Sequence, residues 1–263
     1  MSYKINKRVA IVTGSGRGIG LEVATELAEK DYQVVITSPD PIKAKEVSGK
    51  LQDQGLDAVF HKLDVVSDED ILSLRKFVLD KFGRIDVLVN NAGVMFDLGR
   101  SKVEGLIRER FKSIPKKRDY GEGLGVFGVD LEIVRATLEI NTLGPLRMCQ
   151  VFVPLMMRSG YGRVVNVSSS LGQLNDMTDE DKVPAYQLSK TALNAVTRMF
   201  ADAASGRNVL INSVCPGWTR TDIGGNDAPQ SLAQAAKTIV WLATLPNKGP
   251  TGGFFKDKKS ISW

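Results

Sequence analysis

Short apolar, β-branched runs alternate along the chain with stretches whose apolar positions recur at helical spacing. Arg8 to Val12 precedes an amphipathic stretch from Ile19 to Lys30; Gln33 to Thr37 precedes Ile42 to Gln54; Ala58 to Leu63 precedes Glu69 to Phe82. The alternation resumes with a strand at Asp86 to Val89, a long helix from Leu131 to Met157 and a strand at Gly162 to Val167. A helix from Ala185 to Ala204, a strand at Val209 to Val214, a helix from Ser231 to Leu245 and a short edge strand at Gly253 to Phe255 complete it. Strands this apolar are buried on both faces, and helices between them make them parallel. The pattern predicts an α/β fold: a doubly wound parallel sheet of about seven strands with helices on both faces, its ligands beyond the carboxyl ends of the strands.

One segment breaks the rhythm. Between Asp97 and Gly128 stand Arg100, Lys102, Arg108, Arg110, Lys112, Lys116, Lys117 and Arg118, mixed with acids and followed by glycines. It reads as an insertion at 97–128 in a single domain spanning 1–263, since no linker or repeat divides the chain. A solvated helix and loop account for its charge. Its place after the fourth strand also suits a flap over a substrate site.

Composition narrows the function classes. The chain has 263 residues, 43% of them hydrophobic, and a net charge of +5 from 35 basic and 30 acidic residues. The cations are interspersed with acids rather than gathered, so no nucleic-acid partner is expected. The first apolar run, from Val9, is interrupted at Gly14 and is too short for a membrane span or a signal segment, so a cytoplasmic setting is expected. Two cysteines, Cys149 and Cys215, and one histidine, His61, form neither a disulfide framework nor a metal cluster, and no metal is expected.

The chemistry-bearing residues lie at predicted strand ends. Gly14-Ser15-Gly16-Arg17-Gly18-Ile19-Gly20 follows the first strand and opens a helix. Glycine permits the tight turn, and the helix amino end offers unpaired N–H groups and positive dipole to a pyrophosphate. Its spacing is not G-x-G-x-x-G, because Ile19 stands where the third glycine would be, and no Gly-Lys-Ser/Thr follows to make a Walker loop. Further on, Tyr186 and Lys190 share a helix face at i and i+4, downstream of Ser168-Ser169-Ser170. An ammonium beside a phenol favours its ionised form, so the tyrosine can trade protons nearer neutral pH. Tyr3 and Lys7 have the same spacing without the serine run, so context carries the inference.

With these motifs the chain resembles the short-chain dehydrogenase/reductases over essentially its whole length. Thr13-Gly-x-x-x-Gly-x-Gly20, Leu63-Asp64-Val65, Asn90-Asn-Ala-Gly93, Asn141, Val167-Ser-Ser169, Tyr186-x-x-x-Lys190 and Pro216-Gly217 occur in the family's order. Within the family the pattern is most similar to monomeric carbonyl reductases and plant menthone and salutaridine reductases, through the extension after Gly93, Pro216-Gly-Trp-Thr-Arg-Thr-Asp222 and Gly249-Pro-Thr-Gly-Gly-Phe-Phe255.

The resemblance implies a Rossmann-type sheet and an NAD(P)-dependent oxidoreductase of the carbonyl reductase type. Hydride would pass to a small-molecule carbonyl while Tyr186 protonates the oxygen, Ser169 hydrogen-bonds it, Lys190 lowers the tyrosine pKa and holds the nicotinamide ribose, and Asn141 orients the lysine through water. Asp64 and Val65, Asn91 to Gly93 through Ala92, and Pro216, Gly217 and Thr219 would line the dinucleotide with the glycine turn, Tyr186 and Lys190. The end of the second strand, Ile36-Thr-Ser38, is neutral and Arg17 offers a guanidinium to a 2′-phosphate, so NADP(H) is preferred. Pro39 replaces a second arginine and Asp40 follows it, so NAD(H) stays possible. Relatives tetramerise through the helices bearing Asn141 and Tyr186, a face the insertion can cover, and a monomer is expected. Two other functions fit fewer features: 3-oxoacyl-thioester reduction, which the basic insertion would permit, and non-catalytic dinucleotide sensing, which would not need the intact Ser169, Tyr186, Lys190 and Asn141 set.

Overall fold

The computed structural model describes residues 6–97 and 125–263; Tyr3 and most of the 97–128 insertion lie outside them. Seven strands run parallel: β1 (Val9–Val12), β2 (Gln33–Ser38), β3 (Ala58–Lys62), β4 (Val87–Asn90), β5 (Gly162–Val167), β6 (Val209–Val214) and β7 (Phe254–Lys256). They stand in the order β3-β2-β1-β4-β5-β6-β7. The strands near the middle are fully buried, whereas edge strand β3 alternates buried with more exposed positions, as a sheet covered on both faces requires.

The expected seven strands are joined by an eighth. β8 (Lys259–Ile261) pairs antiparallel with β7, so the predicted edge strand is not the edge. The reversal uses Asp257 and Lys258 at φ of 50° and 60°. Two left-handed residues make a tight hairpin turn, usually signalled by Asn-Gly. Here the charged Lys256-Asp-Lys-Lys259 run hides it.

Helices α1 (Gly18–Glu29), α2 (Pro41–Asp53) and α7 (Leu232–Ala243) cover one sheet face, where Val23, Leu27, Leu51, Ile239 and Val240 pack on Ala10, Val12, Val34 and Ile36. Helices α3 (Asp68–Phe82) and α5 (Gly144–Ser159), with the end of α6 (Pro184–Ala203), cover the other, where Ile71, Leu74, Met148, Phe152 and Ala201 meet Val9, Ile11 and Val164. Alternate β1 residues thus feed opposite cores, the two-residue period of a strand. Local signals begin and end these helices: Ser67 accepts from the Asp70 N–H and acids fill the first turn of α3, while Gly83 closes it at φ 72°. No helix among the described residues is long and apolar enough to cross a membrane.

The long predicted helix from Leu131 is one rod with a flaw in it. α4 (Leu131–Leu138) passes into a π-turn at Glu139–Leu143 before α5 begins. Widening one turn rotates the residues after it, and Asn141 sits inside that turn.

Phe152 is fully buried between α5 and the sheet. Phe152→Ala should therefore lower the unfolding free energy by about 3–5 kcal/mol, read from the urea midpoint at unchanged slope.

Candidate active site

The strand order changes direction between β1 and β4, which opens a crevice at their carboxyl ends. Thr13 stitches the two lips of it together. Its Oγ1 accepts from the N–H groups of Asn91 and Ala92, each at 2.9 Å, and the Asn91 side-chain amide donates back to the Thr13 carbonyl at 2.9 Å. Gly14 turns the chain at φ +63°, and a Cβ there would lie 3.1 Å from Ala92 Cα, so the turn and the segment after β4 approach as closely as backbones can. Gly18, Ile19 and Gly20 open α1, whose N-cap residue Arg17 makes no side-chain capping hydrogen bond. The first amides of α1 are thus left for an anion.

Ser15 departs from its expected role. Its N–H donates to Thr37 O at 2.9 Å, and its buried hydroxyl donates to Val12 O at 2.7 Å while accepting from Thr37 N at 2.9 Å. It is a strut between β1 and β2, with no group left over for a phosphate. Val65 likewise turns its side chain into the core against Gly144, leaving only backbone for a ligand. Asp64 is partly exposed at the end of β3, and its Oδ1 accepts from Val66 N at 3.2 Å.

The corner that should read the ribose holds a residue the sequence argument missed. A Cβ on Gly16 would stand 3.4 Å from Ser38 Cβ and 3.7 Å from Lys43 Cγ, so the turn, Ser38 and Lys43 meet. Lys43 lies in the first turn of α2, and only the register of that helix could have revealed it. The same register resolves Asp40: its Oδ1 caps α2, accepting from the N–H groups of Ile42 and Lys43 at 2.9 and 3.2 Å, with Pro41 as the first helical residue. Arg17, expected at a phosphate, here forms an ion pair across the crevice with Asp222.

Beyond β5 the reactive set converges. Ser169 follows the strand, accepts from Leu171 N at 3.2 Å and lies near enough to the Tyr186 phenol to favour its ionised form. Neighbouring Ser168 is buried, its hydroxyl 3.3 Å from the Lys190 carbonyl, and Ser170 opens a short 3-10 turn, so Ser169 alone of the three addresses the phenol. Tyr186 and Lys190 lie on α6, with the Lys190 Nζ 5.4 Å from the centre of the tyrosine ring and donating to Val167 O at 2.8 Å. Asn141 reaches in from the π-turn: it accepts from Val94 N and donates to Val94 O, both at 2.8 Å, and donates to Ser189 Oγ at 3.0 Å. Gly93 forms the floor, since a Cβ there would stand 3.3 Å from Asn141 Oδ1 and 3.5 Å from Lys190 Nζ. Pro216 and Gly217 follow β6, and Thr219 is buried with its hydroxyl 3.1 Å from the Gly217 carbonyl. His61 stays on the edge strand, its ring tilted against that of Phe77 with centroids 5.1 Å apart, away from this set.

The electrostatics differ from the expected pairing. Burial pushes the Tyr186 phenol above its ordinary value, with a neighbouring Cys215 adding to the rise and the Ser169 hydrogen bond opposing it. Burial lowers Lys190 to about 8, against a smaller opposing effect of Cys215. The lysine therefore does not lower the phenol here; both groups are held toward their neutral forms, because charge is costly in this low-dielectric crevice. A protonated phenol can give a proton to an oxygen on which negative charge develops.

A model of the short chain dehydrogenase family matches residues 8–115 and 124–231, and the chain belongs to that family of oxidoreductases. It is 33% identical to (+)-neomenthol dehydrogenase of Capsicum annuum over 96% of each chain. It is 30% identical to Carbonyl reductase [NADPH] 1 of Sus scrofa over 98% of this chain and 95% of the relative. Among solved structures it resembles salutaridine reductase from Papaver somniferum, with a TM-score of 0.76 and 29% identity over 95% of this chain and all of that one.

The depressed Lys190 gives a signed pH effect. Its native value of about 8 lies below the roughly 10.4 of an unfolded lysine, so between those values the unfolded chain holds a proton the native one has lost. Stability relative to Lys190→Met should accordingly rise by about 2 kcal/mol from pH 7.5 to 9.5 in urea unfolding; a flat difference would contradict the depressed value.

Proposed function

We propose that this short chain dehydrogenase reduces the carbonyl of a ketone, aldehyde or quinone to the alcohol with NADPH, reversibly, Tyr186 being the proton donor. The observation that carries the reading is the convergence of Lys190, its Nζ 5.4 Å from the centre of the Tyr186 ring, and Asn141 on Gly93, with Ser169 acting on the phenol from the loop after β5. The dinucleotide supplies hydride to the carbonyl carbon when bound. Everything else is the work of the chain: Ser169 donates a hydrogen bond to the substrate oxygen, where such a donor contributes roughly 2.7–4 kcal/mol, and Tyr186 delivers its proton there. Lys190, with three donors, holds a ribose hydroxyl and steadies the phenol.

The cradle fits the cofactor. Gly16, Ser38 and Lys43 leave no side-chain bulk between the turn and α2 while placing an ammonium stem and a hydroxyl together, a donor set for a 2′-phosphate. With Asp40 committed to its helix, no carboxylate is left facing that corner from the end of β2. The names of the two curated relatives support ketones or their alcohols as substrates and NADPH as the reductant.

Tyr186→Phe should cut NADPH-dependent turnover by about 10²–10⁴-fold while NADPH affinity stays unchanged by fluorescence titration; substantial residual turnover would sink the assigned donor. Lys43→Ala should weaken NADPH about tenfold and leave NADH binding unaltered, a loss of one charge-assisted contact. Equal weakening of both dinucleotides would remove Lys43 from the phosphate corner.

A further inference from the structure

The helix that carries Tyr186 and Lys190 starts without a cap of its own. Pro184 is its first residue and has no N–H, and the preceding Val183 offers no capping side chain. The next two amides, of Ala185 and of Tyr186 itself, donate instead to the two carboxylate oxygens of Asp97, at 2.9 and 3.1 Å, from a residue 88 and 89 positions away. Asp97 ends the described segment after β4 and is half-buried. Its pKa reflects the site: burial pushes it up, while the two amides pull it down.

The segment holding Asp97 is fixed at its other end too. Val94 is gripped through both its N–H and its carbonyl by Asn141, which also donates to Ser189 on the same helix. Residues 94–97 therefore form a short strap tied to α6 at both ends, through Asn141 to Ser189 in its second turn and through Asp97 at its amino terminus. On the far side a Cβ on Gly172 would come within 2.8 Å of the Lys190 main chain, so the helix cannot slide away from the strap toward the loop after β5.

We infer that Asp97 is a positioning residue for the reduction: by holding the main-chain N–H of Tyr186, it sets where the phenol stands relative to Ser169 and Gly93. The inference rests on the reading of Tyr186 as proton donor. A carboxylate at a helix amino end is also favoured by the dipole, so the contact gives both orientation and charge. Misplacing a reacting group by about 1 Å can cost up to 10²-fold in rate, which makes rate, more than binding, the sensitive readout.

The test uses the full-length enzyme and Asp97→Ala and Asp97→Asn, with active sites counted by NADPH-binding stoichiometry. Asp97→Ala should speed hydrogen exchange at the Ala185 and Tyr186 amides and lower kcat by about tenfold or more, with NADPH affinity and KM little changed. Asp97→Asn keeps one acceptor oxygen and should recover most of kcat, a rescue that a role in stability alone would not produce. If the alanine variant does not fold, a kcat in the asparagine variant below wild type at unchanged NADPH affinity supports the inference. A kcat per active site equal to wild type in the folded alanine variant, or in the asparagine variant where the alanine variant does not fold, or unchanged exchange at the two amides, overturns it. Wild-type turnover of carbonyls is the separate check on the underlying reading: its absence would sink that reading whatever the exchange data show.

Discussion

The side-chain amide of Asn141 takes hydrogen bonds from and gives them to the main chain of Val94, both at 2.8 Å, as a neighbouring strand would. That pairing joins the end of β4 to the helical layer, and the rest of the site takes its positions from it. Gly93, next in line, is pressed between Asn141 and Lys190. Thr13 ties the same segment to the glycine turn on one side, and Ser189 ties Asn141 to α6 on the other. Removing Asn141 would leave a buried peptide group at Val94 without partners, a penalty of about 1–3 kcal/mol, and would also free the segment that places the lysine. The π-turn is what lets a residue in the middle of a long helix face inward at this point.

Much of this was legible in the chain because the fold is periodic and the chemistry sits where the period breaks. Strands as apolar as Val9–Val12 and Val209–Val214, each flanked by a helix, leave few alternatives to a parallel sheet, and their carboxyl ends locate the motifs. What was not legible depends on register or on distant partners. Ser15 lies within the glycine motif, yet its hydroxyl and amide are spent on Val12 and Thr37, a pairing that exists only once β1 and β2 are aligned. Lys43 enters the ribose corner only through the pitch of α2. Asp97 looked like the first acid of an insertion, and its helix lies nearly ninety residues downstream. The π-turn carries no composition signal, and β8 was masked by its charges.

The electrostatics taught the sharper lesson. Spacing placed an ammonium beside a phenol and suggested that the ammonium would favour the ionised phenol. In the folded crevice desolvation outweighs that attraction, so the phenol rises and Lys190 falls to about 8. Lys190 is thereby brought close enough to neutrality that nearby negative charge favours its cation, and that cation in turn favours phenolate. Phosphates and an oxyanion are charges of that sign. Burial thus keeps the Tyr186 phenol protonated until such charges arrive.

The most direct measurement is the absorbance of the reduced nicotinamide band with purified protein, NADPH and a panel of monoterpene ketones, aromatic ketones and quinones. The account predicts loss of that band with at least one of them, and one equivalent of the corresponding alcohol for each NADPH consumed. Firm NADPH binding with no consumption on any carbonyl would contradict it and leave the crevice a dinucleotide-binding site without the reduction.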